Sequence, residues 1–218
     1  MKKFFLFDLD GTVTDTGEGI MKSAQFALDC FGFPNEPEEK LRRFVGPPLD
    51  YSFREFYGLS ERQAWEAVEK YRERYREKGV FESPLYPGMK ELLQRLSQRA
   101  EVCLATSKPL QFARQIIELR GVAELFTVTV GANMDGTMTD KAQVIGEVLR
   151  QLGDPPKLEA VMIGDRRQDI LGAKAQGVDS IGVSYGYAEA GELEAAGATH
   201  IVPTVEALEE LCRKLTEE

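Results

Sequence analysis

Residues 4–12 read FFLFDLDGT, and this stretch decides the fold. Residues 4–9 are nearly all apolar, as in strands of a parallel sheet that is buried on both faces. Asp8 interrupts the run, and burying its carboxylate costs several kcal/mol unless a cation or hydrogen bonds compensate it. Ligands of open α/β sheets bind at the carboxyl ends of the strands, so Asp8 and Asp10 stand where chemistry is expected. The alternative is an ordinary Asp-Gly turn after a strand.

Further apolar runs follow along the chain, and helical patterns lie between them. These runs are residues 101–106, 126–130, 159–163, 180–183 and 200–202. Leu92, Leu93 and Leu96 form one apolar stripe at helical spacing, and residues 144–152 contain another. The alternation of strands and helices predicts an α/β fold with a mostly parallel sheet.

Residues 16–82 break this alternation, because they show helical patterns and no convincing strand. Two proline-rich bends, at residues 34–37 and 46–48, divide the segment into helices. We therefore predict an all-α module inserted after the first strand. The α/β core would then consist of residues 1–15 and 83–218.

A second candidate site follows the apolar run that ends at Asp165, with Asp169 four residues further on. The structural alternative is that one of these carboxylates caps the following helix, which is worth about 1 kcal/mol. If the two lie at the same sheet edge as Asp8 and Asp10, the four carboxylates repel one another unless a divalent cation neutralises them. Ligation by oxygen alone selects magnesium.

Two further elements suit a phosphate group. The run that begins at Glu101 ends in Thr106 and Ser107, whose hydroxyls can donate to phosphate oxygens together with adjacent backbone amides. Lys141 begins a predicted helix and supplies the positive charge that an anionic substrate needs. A lysine in the first turn opposes the helix dipole, so another interaction must favour it there, unless it is an ordinary solvated lysine.

Two other patterns have a structural interpretation. Trp65, Tyr71 and Tyr75 lie on one helical stripe, which predicts a place in the core of the helical module, although base stacking is an alternative. Residues 133–137, NMDGT, imitate the first motif, but Asn133 has no ionised oxygen to attack phosphorus. We predict a turn there.

The composition excludes several classes of function. The chain has 218 residues and a formal net charge of −9, so we expect no nucleic acid polymer and no membrane as a partner. The single histidine, His200, excludes a zinc site built on several histidines of one chain. Three widely spaced cysteines fit reduced thiols, and no apolar run approaches the ~18 residues of a membrane span. We expect a soluble, cytoplasmic protein, and the sequence gives no indication of its oligomeric state.

These motifs, in this order, resemble those of the haloacid dehalogenase superfamily of phosphotransferases, over essentially the whole chain. The four motifs correspond to residues 8–12, Thr106, Lys141, and Gly164-Asp165 with Asp169. The resemblance implies a Rossmann-like core, with residues 16–82 as the helical cap of the C1 type. Residues 46–49 (GPPL) and 184–187 (SYGY) suggest the branch that contains phosphoglycolate phosphatases and 5′-nucleotidases.

The resemblance also implies roles for individual residues. Asp8 would be the nucleophile that forms an aspartyl-phosphate, and Asp10 would act first as general acid and then as general base. Thr106 and Lys141 would hold the phosphoryl oxygens. Mg²⁺ would be held by Asp8, the backbone carbonyl of Asp10 and Asp165, with Asp169 acting through water or from outside the ligand set. Further candidates for substrate contact are Ser107, Gly11, Thr12 and, at the end away from the phosphate, Arg42.

The resulting hypothesis is a Mg²⁺-dependent phosphomonoester hydrolase. Its substrate would be a small phosphorylated metabolite, either phosphoglycolate-like or a nucleoside monophosphate. Asp10 argues against dehalogenation, because the dehalogenases of this superfamily lack an acid at that position. A phosphomutase of the β-phosphoglucomutase type and a non-catalytic regulator on the same fold are the alternatives.

Overall fold

The computed structural model describes residues 1–217 and contains one six-stranded sheet in which every strand pair is parallel. The strand order is β3-β2-β1-β4-β5-β6. The strands are β1 (Phe4–Phe7), β2 (Glu101–Pro109), β3 (Val128–Ala132), β4 (Ala160–Gly164), β5 (Asp179–Val183) and β6 (His200–Val202). The predicted α/β fold with a parallel sheet is confirmed.

The lengths of β1 and β2 differ most from the sequence-based expectation. β1 ends at Phe7 and not at residue 9, because the chain turns at once: the Leu9 carbonyl accepts from the amides of Val13 and Thr14, each at 3.0 Å. β2 continues past Thr106 to Pro109 after a shift in its register against β3. This irregular end of β2 lies beside the candidate site.

Helices account for the segment between β1 and residue 82. They are α1 (Gly17–Asp29), α2 (Glu38–Arg42), α3 (Leu49–Tyr57), α4 (Glu61–Glu77) and a 3₁₀ turn (Gly79–Phe81). The Ser60 hydroxyl accepts from the Gln63 amide, and the Gln63 side chain accepts from the Ser60 amide, so a capping box begins α4. The helices agree with the predicted all-α insert, while its separation as a domain stays a prediction.

The remaining helices alternate with the strands. They are α5 (Met89–Leu96), α6 (Leu110–Leu119), α7 (Lys141–Gln151), α8 (Arg167–Gln176), α9 (Glu192–Ala196) and α10 (Val205–Glu217). Successive side chains of a strand point to opposite faces of the sheet, so the side chains of β1 pack into two hydrophobic clusters. Phe5 and Phe7 pack into the cluster that contains side chains from α5, α6, α10 and the inserted helices. Leu6 packs into the cluster formed with α7 and α8.

The strand order places β1 between β2 and β4, which lie on opposite sides of it. The chain leaves β1 in one direction to reach β2 and later returns to build β4 on the other side. Crevices at such a reversal of strand order are the usual ligand sites of open α/β sheets. Asp8 follows β1 and Asp165 follows β4, so both carboxylates lie at this point.

Candidate active site

Asp8 and Lys141 form a buried ion pair at the carboxyl end of β1. The Lys141 Nζ lies 2.9 Å from Asp8 Oδ1 and 2.9 Å from Asp169 Oδ1, and it donates to the Ala105 carbonyl at 3.1 Å. Lys141 is the first residue of α7, where its charge opposes the helix dipole. The two carboxylates supply the compensating interaction that this position needs.

The pKa values at this cluster reflect burial and mutual repulsion. Burial acts to lower the pKa of the Lys141 ammonium, but the carboxylates of Asp169 and Asp8 outweigh it and hold that pKa above its ordinary 10.5. Burial raises the pKa of Asp169 to about 6, with Lys141 opposing the rise. Burial, and then the charges of Asp169 and Asp8, raise the pKa of Asp165 well above its usual range. The cluster therefore carries more negative charge than Lys141 alone can compensate.

Asp165 is fully buried and is fixed by neutral donors. The backbone amide of Tyr187 donates to Asp165 Oδ2 at 2.7 Å, and the Thr12 hydroxyl donates to Oδ1 at 3.3 Å. Gly11 and Gly186 pack directly against this carboxyl group: a Cβ at Gly11 would lie 2.1 Å from Asp165 Oδ2, and one at Gly186 would lie 2.4 Å from Asp165 Cβ. Gly11 also has a φ of +79°, which favours glycine. The surroundings of Asp165 thus fix its orientation.

The three acidic side chains can be tested as a cation site. Asp8, Asp165 and Asp169 are buried, and each offers a carboxylate oxygen that lies within 4.8 Å of the others. Oxygens bound to one Mg²⁺ lie roughly 3–4 Å apart, because the Mg–O distance is about 2.1 Å. If all three carboxylates are ionised, one ammonium leaves an excess of two negative charges, which a divalent cation would neutralise. The donor set and its charge fit magnesium.

Asp10 is held separately from this cluster. Lys108 Nζ donates to both of its carboxylate oxygens, at 3.0 and 2.9 Å, and the same ammonium lies 4.7 Å from the centroid of the Tyr75 ring. Because Lys108 binds the side chain of Asp10, only the backbone carbonyl of Asp10 is left for the predicted metal site. Sequence reasoning missed Lys108, although a cation two residues beyond Thr106, at the end of a strand with phosphate-binding hydroxyls, was a usable signal.

The structure places the other predicted contacts as follows. Thr106 is buried, and its hydroxyl accepts from the Lys108 amide at 3.2 Å. Ser107 lines a cavity beside the site. Thr12 is fully buried against Asp165, so its hydroxyl is engaged with that carboxylate. Arg42 donates to the Gly186 carbonyl at 3.2 Å and stacks over the Tyr187 ring.

A cavity that is open to solvent lies between the inserted helices and the end of the sheet. Asp10, Ser107 and Lys108 line it from the sheet side. The residues that line it from the inserted segment include Phe44, Pro47, Pro48, Trp65, Tyr71, Arg72 and Tyr75. Trp65, Tyr71 and Tyr75 are therefore cavity walls as well as core, which corrects the expectation of a core role alone. Arg42 is not among the described residues that line this cavity.

The predicted turn at residues 133–137 is present. The Gly136 amide donates to the Asn133 carbonyl at 3.2 Å, and Asn133 and Gly136 both line the cavity.

Within residues 1–217, no helix is long and apolar enough to span a bilayer.

Comparison with known proteins identifies the class. The model of the haloacid dehalogenase-like hydrolase family matches residues 5–183, and the chain belongs to this family. A 5′-nucleotidase of Pseudomonas aeruginosa is 42% identical over 207 residues, which cover 94% of this chain and 93% of the relative. A phosphoglycolate phosphatase of Vibrio parahaemolyticus is 30% identical, covering 96% of this chain and 95% of the relative.

A solved structure from Clostridium acetobutylicum, described as a predicted phosphatase, has a TM-score of 0.93 and 40% identity, and it matches 100% of both chains. The tyrosine-protein kinase PtkA of Mycobacterium tuberculosis is also related, at 36% identity over 89% of this chain and 66% of the kinase. The resemblance found in the sequence is confirmed, and the chain is a phosphatase of this hydrolase family.

Proposed function

We propose that the chain is a Mg²⁺-dependent phosphomonoester hydrolase that works through an aspartyl-phosphate at Asp8. The observation that carries this proposal is the position of Asp8. It lies at the reversal of strand order, 2.9 Å from the Lys141 ammonium and within one cation-sized cluster with Asp165 and Asp169. A carboxylate is a weak nucleophile toward a phosphate dianion unless positive charge offsets their repulsion.

In the first step, an Asp8 oxygen forms a bond to phosphorus while the bond from phosphorus to the ester oxygen breaks. Asp10 gives its proton to the departing oxygen. In the second step, Asp10 takes a proton from water, which attacks the phosphorus of the aspartyl-phosphate and restores the Asp8 carboxylate as inorganic phosphate leaves. Lys108, which contacts both oxygens of Asp10, orients this acid and base at the cavity.

The other residues supply charge and position. Lys141 and Thr106 would hold the phosphoryl oxygens, Lys141 by its charge and Thr106 by its hydroxyl. Mg²⁺, held by Asp8, the Asp10 carbonyl and Asp165, would neutralise the phosphoryl group when bound. Asp169, paired with Lys141 at 2.9 Å, would act from outside the ligand set or through water.

We also propose that residues 16–82 act as a cap over this site. The cavity supports that role, because its walls come both from the inserted helices and from the sheet end that carries Asp10. The leaving group would lie between the two. A small phosphorylated metabolite, either a nucleoside monophosphate or a phosphoglycolate-like compound, is the proposed substrate class.

The test is Asp8→Asn, assayed by release of inorganic phosphate from p-nitrophenyl phosphate with Mg²⁺. We expect a loss in kcat of at least about a thousandfold with no loss of thermal stability, because the amide lacks the nucleophilic charge but has the same shape. Exposed Asp154→Asn is the matched control. Removal of Mg²⁺ with a chelator should abolish the wild-type activity, and added Mg²⁺ should restore it.

Three outcomes would contradict the proposal. Near-full activity of Asp8→Asn would show that Asp8 is not the nucleophile. Isomerised sugar phosphate without free phosphate, from a sugar 1-phosphate, would indicate a mutase. Transfer from ATP to a tyrosine in place of water would indicate a kinase.

A further inference from the structure

Helix α4 presents one face to the cavity beside the active site. Trp65, Val68, Arg72 and Tyr75 are spaced by three or four residues and all line the cavity. Residues at this spacing lie on the same side of a helix. One helix therefore supplies both apolar and polar groups to the wall that faces Asp10 and Lys108.

Two buried polar groups on this face lack a hydrogen-bond partner among residues 1–217. Arg72 is 8% exposed and its Nε is unpaired, and Tyr75 is 1% exposed and its hydroxyl is unpaired. A buried donor without an acceptor is costly, and such groups in native structures call for a specific explanation. Both residues line the same cavity, so a ligand there could satisfy both once small shifts of the two side chains bring these buried atoms to the cavity surface.

The chemistry of Arg72 narrows the kind of ligand. Its Nη1 already pairs with Glu69 at 2.6 Å, and its Nη2 donates to the Met134 carbonyl at 2.7 Å. Arginine usually holds a carboxylate with two parallel N–H groups, and here the terminal nitrogens are occupied. Asp50 also lines the cavity, and its carboxylate would repel a carboxylate of the ligand. A single N–H and a phenol hydroxyl suit a neutral acceptor, such as a carbonyl or a ring nitrogen.

The remaining walls favour a flat, apolar body. Trp65, Phe44, Pro47 and Phe112 line the cavity, and apolar walls with a few polar groups are typical of small-molecule sites. A leaving group as small as glycolate would leave most of these apolar surfaces uncovered. Aromatic rings and proline faces instead suit stacking with a planar ring.

We propose that Arg72 and Tyr75 recognise the leaving group, and that this group is the base-bearing nucleoside of a nucleoside monophosphate. The inference rests on the proposed function and narrows its substrate class. The base would stack among the apolar walls and accept from Arg72 Nε and the Tyr75 hydroxyl. The Tyr75 ring also contacts Lys108, which holds Asp10, so recognition of the base lies next to the proton donor.

The test compares two substrates that differ only by the base. Uridine 5′-monophosphate and ribose 5-phosphate share the sugar and the phosphoester. We expect wild-type kcat/KM to favour the nucleotide by about a hundredfold, as two hydrogen bonds of about 1.4 kcal/mol each would give. In Tyr75→Phe and in Arg72→Met this ratio should fall by about tenfold, while exposed Tyr51→Phe and Arg76→Met should retain it.

The two proposals fail in different ways. If the wild type hydrolyses neither substrate nor p-nitrophenyl phosphate, the proposed function is wrong. If it hydrolyses p-nitrophenyl phosphate but shows no preference for the nucleotide, or if the ratio is the same in Tyr75→Phe, this inference is wrong. A preference for phosphoglycolate that Arg72→Met removes would also overturn it, because an acidic leaving group would then be the ligand of Arg72. Competitive inhibition of the wild type by uridine but not by ribose tests the inference without a variant.

Discussion

Two regions beside the cavity differ in how their buried polar groups are paired. They are the sheet edge, which contains Asp8, Asp169 and Lys141, and the α4 wall, which contains Arg72 and Tyr75. At the sheet edge, Lys141 pairs with Asp8 and with Asp169, each at 2.9 Å, and the surplus is negative charge. On the α4 wall, Arg72 and Tyr75 retain donors without acceptors. Under the proposed function, the edge would bind a cation and the phosphoryl group that every substrate of a phosphatase carries. The wall would bind the part of the substrate that varies.

The comparison has a structural basis. Asp8 and Asp165 directly follow β1 and β4, which are neighbours in one hydrogen-bonded sheet, so the backbone ladder between these strands fixes their relative positions. Lys141 and Asp169 lie in the first turns of α7 and α8, which pack on that sheet. The wall belongs to a helix outside the sheet, and its side chains face whatever lies across the cavity. Under the proposed function, the sheet therefore fixes Asp8 and Asp165, the carboxylates that would act on the phosphoryl group, as a preorganised site requires.

The largest effect on stability and activity is expected from replacing Lys141 at the sheet edge. Lys141→Met leaves Asp8 and Asp169 buried without their cation, which should cost about 3 kcal/mol of folding free energy without Mg²⁺ and lower kcat at least about a hundredfold. Urea unfolding and phosphate release measure the two losses, with exposed Lys174→Met as the control. Mg²⁺ should restore part of the stability but not the activity. Unchanged stability without the metal would show that the edge is not short of positive charge.

A smaller loss of activity is expected from replacing Lys108, which contacts Asp10 at the end of the sheet and the Tyr75 ring of α4. Lys108→Met removes the cation that contacts both oxygens of Asp10, so proton transfer should be impaired and kcat should fall by about a hundredfold for ribose 5-phosphate. The loss should be smaller for p-nitrophenyl phosphate, because p-nitrophenolate can leave without a proton. Steady-state kinetics on both substrates measures this, with exposed Lys78→Met as the control. Equal losses on the two substrates would argue that Lys108 does not act through Asp10.

The smallest effect is expected from an ion pair of α4 outside the cavity. Arg74 donates to Glu82 at 2.9 and 3.0 Å, and this contact lowers the pKa of Glu82 from 4.5. A lowered folded-state pKa stabilises the fold above the ordinary value and loses that stabilisation as the pH falls. Glu82→Gln should therefore cost at most about 1 kcal/mol at pH 7, because partly exposed pairs contribute little. The difference from wild type should shrink as the pH falls below 4.5, as measured by urea unfolding at several pH values. A constant difference across that range would show that the charge of Glu82 has no part in it.

The sequence by itself determined the α/β fold, the helical insert and the positions of Asp8 and Asp165. It could do so because residues that follow parallel strands meet at one edge, whatever the connections between the strands contain. Lys141 was predicted on its charge, and the structure adds the reason for its place, the two carboxylates around its ammonium.

Only the tertiary structure decided which groups meet between the insert and the sheet. It paired Lys108 with Asp10, engaged Thr12 with Asp165, and turned Arg42 toward Gly186 while Arg72 lines the cavity. Helical periodicity predicts which face of α4 is apolar, but not what lies opposite that face. The contacts across the cavity depend on how the inserted helices pack against the sheet, and that packing is set by long-range contacts that no local pattern in the chain encodes.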